Sequence, residues 1–373
     1  MTAVVEHLSN LIRIASNSAV SNRPVVEYAA EVLHSVGWTT RALPYRDPQQ
    51  IEKVNLIAAP PGQNISAHDA DLVLMCHSDT VPIAPEWERA LDPYVAEEKL
   101  HGCGACDVKG FLACILAAVS AEGQFIDGLR IVLSADEEIG CIGAAHLLAD
   151  HALHPRRMII GEPTQLHPAR AGKGYCLAEA TVSGKEAHSA HPAQGVSAIY
   201  HAARLITAIE KFAATLAQEQ NSFFDPPYTT INIGIVQGGT AKNIVAGSCR
   251  FQLEWRPIPG ELPSAVLDSV TAIIAELRRG DPALHAEIHP VRQQSGFETP
   301  AASPLVRGIE RLSGRAATSI PFGSEASLFG PIVEEVVVFG PGDMRTAHSS
   351  RECVPLAELD AAVSILRAMI RPA

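Results

Sequence analysis

The stretch Leu72-Val73-Leu74-Met75-Cys76-His77-Ser78-Asp79 decides how the rest of the chain is read. Its apolar run is too short for a helix and fits a strand buried on both faces, as in a parallel sheet covered by helices. The run then breaks into an imidazole and a carboxylate. Residues 129–134 likewise run into Asp136-Glu137-Glu138, and 158–160 into Glu162-Pro163-Thr164. Residues 336–339 run into Gly340-Pro341-Gly342-Asp343, with His348 beyond. Residues 54–59 form a further apolar run. Between the runs, 24–36 is amphipathic, 111–121 is apolar nearly all round, and 143–150 is short. This alternation predicts an α/β catalytic domain with a mixed, mostly parallel sheet flanked by helices. In open sheets of this kind ligands bind outside the carboxyl ends of the strands, where these side chains fall.

The middle of the chain has a different period. Residues 175–183 alternate apolar and polar, as a half-exposed antiparallel strand does. Helical stretches follow at about 196–217 and 263–279, with strand-like runs at 229–237 and 247–256 between them. The expected organisation is a catalytic domain of 1–174 and 290–373, interrupted by an α+β domain at 175–289.

Composition narrows the function classes. A chain of 373 residues with 47% hydrophobic and 19% charged residues is ordinary globular material, long enough for two domains. Lys and Arg total 29 against 41 Asp and Glu, a net charge of −12, which argues against nucleic acid as a partner. The apolar run 111–121 falls short of the roughly 20 residues a membrane span needs. The N-terminal residues mix Glu6, His7 and Arg13 with apolar ones, unlike a secretion signal. Of eight cysteines, Cys76, Cys114 and Cys176 sit inside apolar runs, as reduced thiols do. A cytoplasmic protein is expected.

Carboxylates gathered at one sheet edge repel one another unless cations balance them. Imidazole and carboxylate donors, without thiolate, suit Zn²⁺ or another divalent first-row ion. A pair of ions about 3.5–4 Å apart needs one shared carboxylate and about two further ligands each. His77, Asp107, Glu138, Glu162 and His348 meet that requirement. Each motif alone is weak: His-x-Asp occurs in surface loops, and Glu-Glu after a strand is often a solvated helix start. Their joint occurrence at successive strand ends carries the inference. Cys103-Gly-Ala-Cys106 lacks a second cysteine pair at zinc-site spacing and reads as structural. Residues 161–174 contain glycines but no G-x-G-x-x-G, so dinucleotide binding is not supported.

The motifs His77-Ser78-Asp79-Thr80-Val81-Pro82, Gly104-Ala105-Cys106-Asp107-Val108-Lys109-Gly110, Asp136-Glu137-Glu138-Ile139-Gly140 and Gly161-Glu162-Pro163-Thr164 resemble the M20 family of dizinc amidohydrolases. Residues 184–199, GKEAHSAHPAQGVSAI, do so as well, and the motifs keep the family's order along nearly the whole chain. Gly102-Cys103-Gly104-Ala105-Cys106-Asp107 and Ser324-Glu325-Ala326 resemble the branch that deacetylates N2-acetyl-L-ornithine, a step of arginine biosynthesis. The resemblance implies two divalent ions, Zn²⁺ first, with Co²⁺ able to substitute. Asp107 would bridge them, His77 and Glu162 holding one and Glu138 and His348 the other. Asp79 would orient His77, and Glu137 would be the general base. It further implies a cis peptide bond between Asp107 and Val108. The inserted domain would serve as lid and homodimer surface. From it His188 would stabilise the oxyanion in the other subunit, with Asn243 and Arg256 binding substrate. The residues themselves leave His188 open as a surface histidine and Arg256 open as a strand-end ion pair.

For the substrate, an N-acyl amino acid stands beside sister activities: succinyl-diaminopimelate desuccinylation, acetylcitrulline deacetylation and peptide cleavage. A catalytically silent small-molecule binder is the alternative from another class, against which the intact Glu137 and ligand set argue. Where desuccinylases resemble Ser-Asp-Gly-Arg, this chain has Ser324-Glu325-Ala326-Ser327, without the Arg that would pair a succinyl carboxylate. Glu325 would instead favour a cationic side chain such as that of ornithine.

Overall fold

The strand Asp69–His77 lies between Leu129–Ser134 and His154–Ile160 and runs parallel to both. This is a computed structural model, and it describes residues 2–66, 69–218 and 220–372. Outward on one side, Leu129–Ser134 pairs antiparallel with Glu52–Ala59, which pairs with Thr39–Arg46. On the other side His154–Ile160 pairs in parallel with Glu335–Val338. The sheet is therefore mixed, with four parallel strands at its centre. Every residue of Leu129–Ser134 is buried, which is what an unbroken apolar run requires of a central strand.

The helix Lys109–Ser120 is buried along nearly its whole length. It packs against Ala3–Arg13, Leu356–Ile370 and the strand Asp69–His77. Phe111, Leu112, Ile115 and Leu116 are each at most 1% exposed, contributing about 1.5–3 kcal/mol apiece. This packing anchors the residue that precedes the helix, Asp107. Arg23–Ser35, with Pro24 in its first turn, packs on Glu52–Ala59.

The chain divides into two compact units. The first holds the residues up to Ala171, Glu298–Thr318, and Ser324 onward. The second holds Gly172–Phe297 and Ser319–Gly323. Its antiparallel sheet has the order Thr230–Gly238, Ser248–Arg256, Tyr175–Ser183, His285–Gln294. Alternate residues Cys176, Ala178, Ala180 and Val182 face a core completed by Phe251, Leu253 and Trp255. Helices Ala198–Leu216 and Ala265–Gly280 close that core with Leu205, Ile209, Val266 and Val270.

Several boundaries differ from the sequence reading; residues 172–174, assigned above to the catalytic domain, fall in the second unit. The strand expected at 336–339 is Glu335–Val338, one residue earlier. Residues 290–297, assigned above to the catalytic domain, belong to the second unit, because His285–Gln294 continues past Pro290 as the antiparallel neighbour of Tyr175–Ser183. Residues 319–323 join that unit too. Among the described residues no helix is long and apolar enough to cross a membrane.

Candidate metal centre

The strand Asp69–His77 ends by placing a fully buried imidazole at the sheet edge. His77 Nδ1 lies 3.0 Å from the Asp79 main-chain oxygen, and Nε2 lies 3.1 Å from Asp107 Oδ1. A proton on Nδ1 donated to that carbonyl leaves Nε2 free to act as a ligand. Asp107 is buried, and the peptide bond after it is cis, as the resemblance implies. Its second oxygen is 3.0 Å from His348 Nε2, which is also 3.2 Å from Glu138 Oε2. One aspartate thus touches both imidazoles, and the second imidazole touches a glutamate.

Electrostatics mark the cluster as unbalanced. Burial pushes Glu137 up to about 8, His77 opposing and the charges of Glu138, Glu325 and Asp79 adding to the rise. Burial, with the charges of Asp107 and Glu137, raises Glu162 well above the carboxylate range. Glu138 is raised by burial too, against its hydrogen bond from His348. For Asp107 burial pulls upward, but the hydrogen bonds and charges of His348 and His77 win and hold it below its ordinary value. His348 is raised to about 10 by hydrogen bonds to Asp107 and Glu138.

Divalent cations fit this donor set. Ligand atoms of His77, Asp107 and Glu138 all lie within 4.8 Å of one another. Glu138 Oε1 is buried with no hydrogen-bond partner. A cation would satisfy that orphaned oxygen and offset the carboxylate repulsion. Glu162 follows Gly161, and glycine is needed there because a Cβ would stand 2.2 Å from a ring carbon of Phe111.

The Asp79 carboxylate faces His77 at a longer distance than the Asp79 carbonyl does. It lies 3.6 Å from His77 Nδ1, beyond hydrogen-bond reach, while the Asp79 carbonyl makes that contact. The carboxylate instead accepts from Ser18 Oγ at 2.7 Å and from the main-chain N–H groups of Glu137 and Glu138, at 3.0 and 3.3 Å. Asp79 therefore holds the turn that bears both glutamates. Ser18 is held in turn: Lys53 Nζ donates to its carbonyl at 2.6 Å and pairs with Asp136 at 2.7 Å. Lys53, Ser18 and Glu352 were missed in the sequence, where nothing but the fold brings them to the site. Glu352 offered a faint signal, an acid four residues after His348.

Cys103 and Cys106 are buried free thiols. Burial raises Cys103 to about 11, Glu352 adding to it, the opposite of a reactive thiolate. Glu325 is fully buried before the short helix Ala326–Phe329. Burial pushes it to about 7, His77 and a side-chain hydrogen bond with Ser134 opposing the rise.

In the second unit, His188 is exposed, its Nδ1 accepting from the Ala190 N–H at 3.1 Å. Asn243 is exposed, and its main-chain carbonyl accepts from the Ser189 N–H at 2.9 Å. Arg256 is half-buried, paired with Glu254 at 2.8 Å and 5.0 Å from the Tyr175 ring centroid. A groove of about 720 Å³ lies beside the 188 and 243 segments, lined by Ser189, Tyr200, Thr240, Lys242 and Val245.

A model of peptidase family M20/M25/M40 matches residues 73–371. The chain belongs to that family. An acetylornithine deacetylase from Myxococcus xanthus is 43% identical over 354 residues, 94% of this chain and 92% of that protein. Among solved structures, a tripeptidase from Staphylococcus aureus superposes with TM-score 0.80 at 22% identity, covering 99% of this chain and 97% of that one. A dinuclear metal-binding M20 peptidase from Bacillus subtilis superposes with TM-score 0.71 at 14% identity, covering 98% and 95%. For this M20 chain the two structural likenesses establish the fold.

Proposed function

We propose that the protein is a metal-dependent amidohydrolase that cleaves the amide of N2-acetyl-L-ornithine to L-ornithine and acetate, in arginine biosynthesis. The observation that carries the reaction class is the division of two adjacent carboxylates. Glu138 touches His348 and joins the ligand cluster, while Glu137 accepts a weak hydrogen bond from Cys141 Sγ at 3.3 Å and touches neither imidazole among the hydrogen bonds described. Support for the substrate is the 43% identity to a deacetylase of that name across nearly the full length of both chains.

In this reading Asp107, His77, Glu162, Glu138 and His348 would hold two divalent cations, His77 and Glu162 serving one and Glu138 and His348 the other with Asp107 shared, Zn²⁺ being expected and Co²⁺ able to replace it. When bound, the ions supply Lewis-acid polarisation of the scissile carbonyl and a lowered pKa for water. Glu137 takes a proton from the attacking water and returns it to the leaving amine, so no Ser or Cys nucleophile is required. A half-buried base with a pKa near neutrality suits both transfers, and cations beside it would pull that value downward. Asp79, held by Ser18, keeps Glu137 and Glu138 on one rigid turn.

The second unit is read as lid and homodimer surface. Its edge strand Thr230–Gly238 leaves Ile235 and Val236 about half exposed, apolar surface that a second copy would cover. His188, Asn243 and Arg256 would contact the acyl group and α-carboxylate, Arg256 by a two-pronged pairing. Glu325 would favour the cationic side chain. A cytoplasmic location completes the proposal.

The test is a panel: metal-loaded enzyme assayed against acetylornithine, acetylcitrulline, acetylmethionine and succinyl-diaminopimelate. The highest kcat/KM is expected for acetylornithine. A higher value for any other member would replace the substrate, and no turnover of any would overturn the reading.

A further inference from the structure

Glu352 takes no part in the reaction described above, yet it is 2% exposed. Its carboxylate reaches the loop that carries Asp107. Oε1 accepts from the main-chain N–H groups of Cys106 and Asp107, both at 3.1 Å, and Oε2 accepts from that of Gly104 at 3.0 Å. Cys106 Sγ lies 3.6 Å from Oε1. The main chain joins in: Gly102 N–H donates to the Glu352 carbonyl at 3.4 Å, and His101 pairs with Cys353 in the short sheet next door. Gly104 has φ +79, a left-handed turn that helps point successive amides inward. A Cβ there would also lie 2.8 Å from Lys109 Cδ.

Three amides converging on one carboxylate make an internal anion site of the kind that fixes backbone geometry. The same glutamate lies four residues after His348. It therefore ties the segment bearing one imidazole to the loop bearing the aspartate that touches it. Ordering two separate loops for ion binding costs conformational entropy, and a carboxylate that ties them together lowers that cost.

We propose that Glu352 is a positioning residue that presets Asp107 and couples it to the His348 segment before any metal arrives. The proposal rests on the reading that Asp107 and His348 hold metal. Glu352→Gln keeps the size and one acceptor oxygen but turns an NH₂ toward at least one of the three N–H donors. Metal-stripped protein is titrated with Zn²⁺ against a competing chelator. The variant is expected to bind Zn²⁺ about 10–100-fold more weakly. Thr299→Val serves as the structural control: it removes a buried hydroxyl that donates to Val336 O at 2.7 Å, and should lower Tm without changing Zn²⁺ affinity. Wild-type affinity in Glu352→Gln, with only a lowered Tm, would overturn the proposal. Amide exchange on stripped wild-type protein needs no variant to fold. The amides of Gly104, Cys106 and Asp107 should be protected like those of the central strand, and rapid exchange there would overturn the proposal as well. His77→Ala, titrated in parallel, keeps the two failures apart: native affinity in that variant sinks the metal-centre reading itself, whatever Glu352 does.

Discussion

His77 and His188 are both implied to act on one reaction, and the protein treats them in opposite ways. His77 is 1% exposed, with both ring nitrogens engaged, and its neighbours are themselves fastened by Ser18, Lys53 and Glu352. His188 is exposed in the second unit, its Nδ1 meeting only a local amide among the hydrogen bonds described. The contrast separates two physical tasks. Holding a cation favours donors fixed in advance, because every degree of freedom lost on binding weakens affinity. Meeting a substrate requires a side chain that remains accessible until the substrate arrives.

The comparison breaks most sharply at Glu137, which is half-buried beside the ligands but proposed for chemistry. Glu137→Ala should keep its metals, read by elemental analysis, while kcat falls about 10⁴-fold or more, since one carboxylate serves both proton transfers. Substantial turnover in the metal-loaded variant would remove Glu137 from the role.

His188→Ala should lower kcat about 10²–10³-fold, the cost of one oxyanion donor, with metal content unchanged. Mixing it with Glu137→Ala under subunit exchange should restore activity to up to half the sites of each mixed dimer. Proven heterodimers without recovery would show that His188 does not act across subunits.

Metal removal sharpens the electrostatic side of the contrast. In the metal-free protein Glu137 is raised to about 8 and His348 to about 10, so the folded state binds more protons than the unfolded chain above the ordinary carboxylate range. Raised carboxylates destabilise the fold once ionised, and raised imidazoles lose their contribution once deprotonated. Both work in one direction, so Tm of stripped protein should fall as pH rises from about 5 to 8. Zn²⁺ should flatten that slope and release protons on binding, measurable in weakly buffered solution.

The smallest effect is expected in the second unit. Arg256→Lys keeps the charge but loses the fork, and should raise KM several-fold with little change in kcat or Zn²⁺ affinity. A lowered Zn²⁺ affinity would contradict the division between the units.

Legibility in the sequence followed local patterning. Residues 129–134 and 175–183 read as strands with the same limits the structure gives, one as a continuous apolar run and the other by strict alternation. Thr39–Arg46 was not legible: its residues are mostly polar, it contains Pro44, and only an edge position beside Glu52–Ala59 makes it a strand. His285–Gln294 was hidden in the same way, since six of its ten residues are exposed and Pro290 interrupts it.

The sequence by itself determined the fold class, the placement of His77, Glu137, Glu138 and Glu162 at or just after strand ends, and the family to which the chain belongs. Hydrophobic period and side-chain type are local properties, so a strand end that delivers a carboxylate is visible without the fold. Only the tertiary structure decided that His77 leans on the Asp79 carbonyl rather than its carboxylate, and that Ser18 and Lys53 brace the glutamate turn. It alone brought Glu352 to amides 245 and more residues away. A hydrogen bond is a relation between two places in space, and a buried charge has no pattern of its own until the chain has chosen its neighbours.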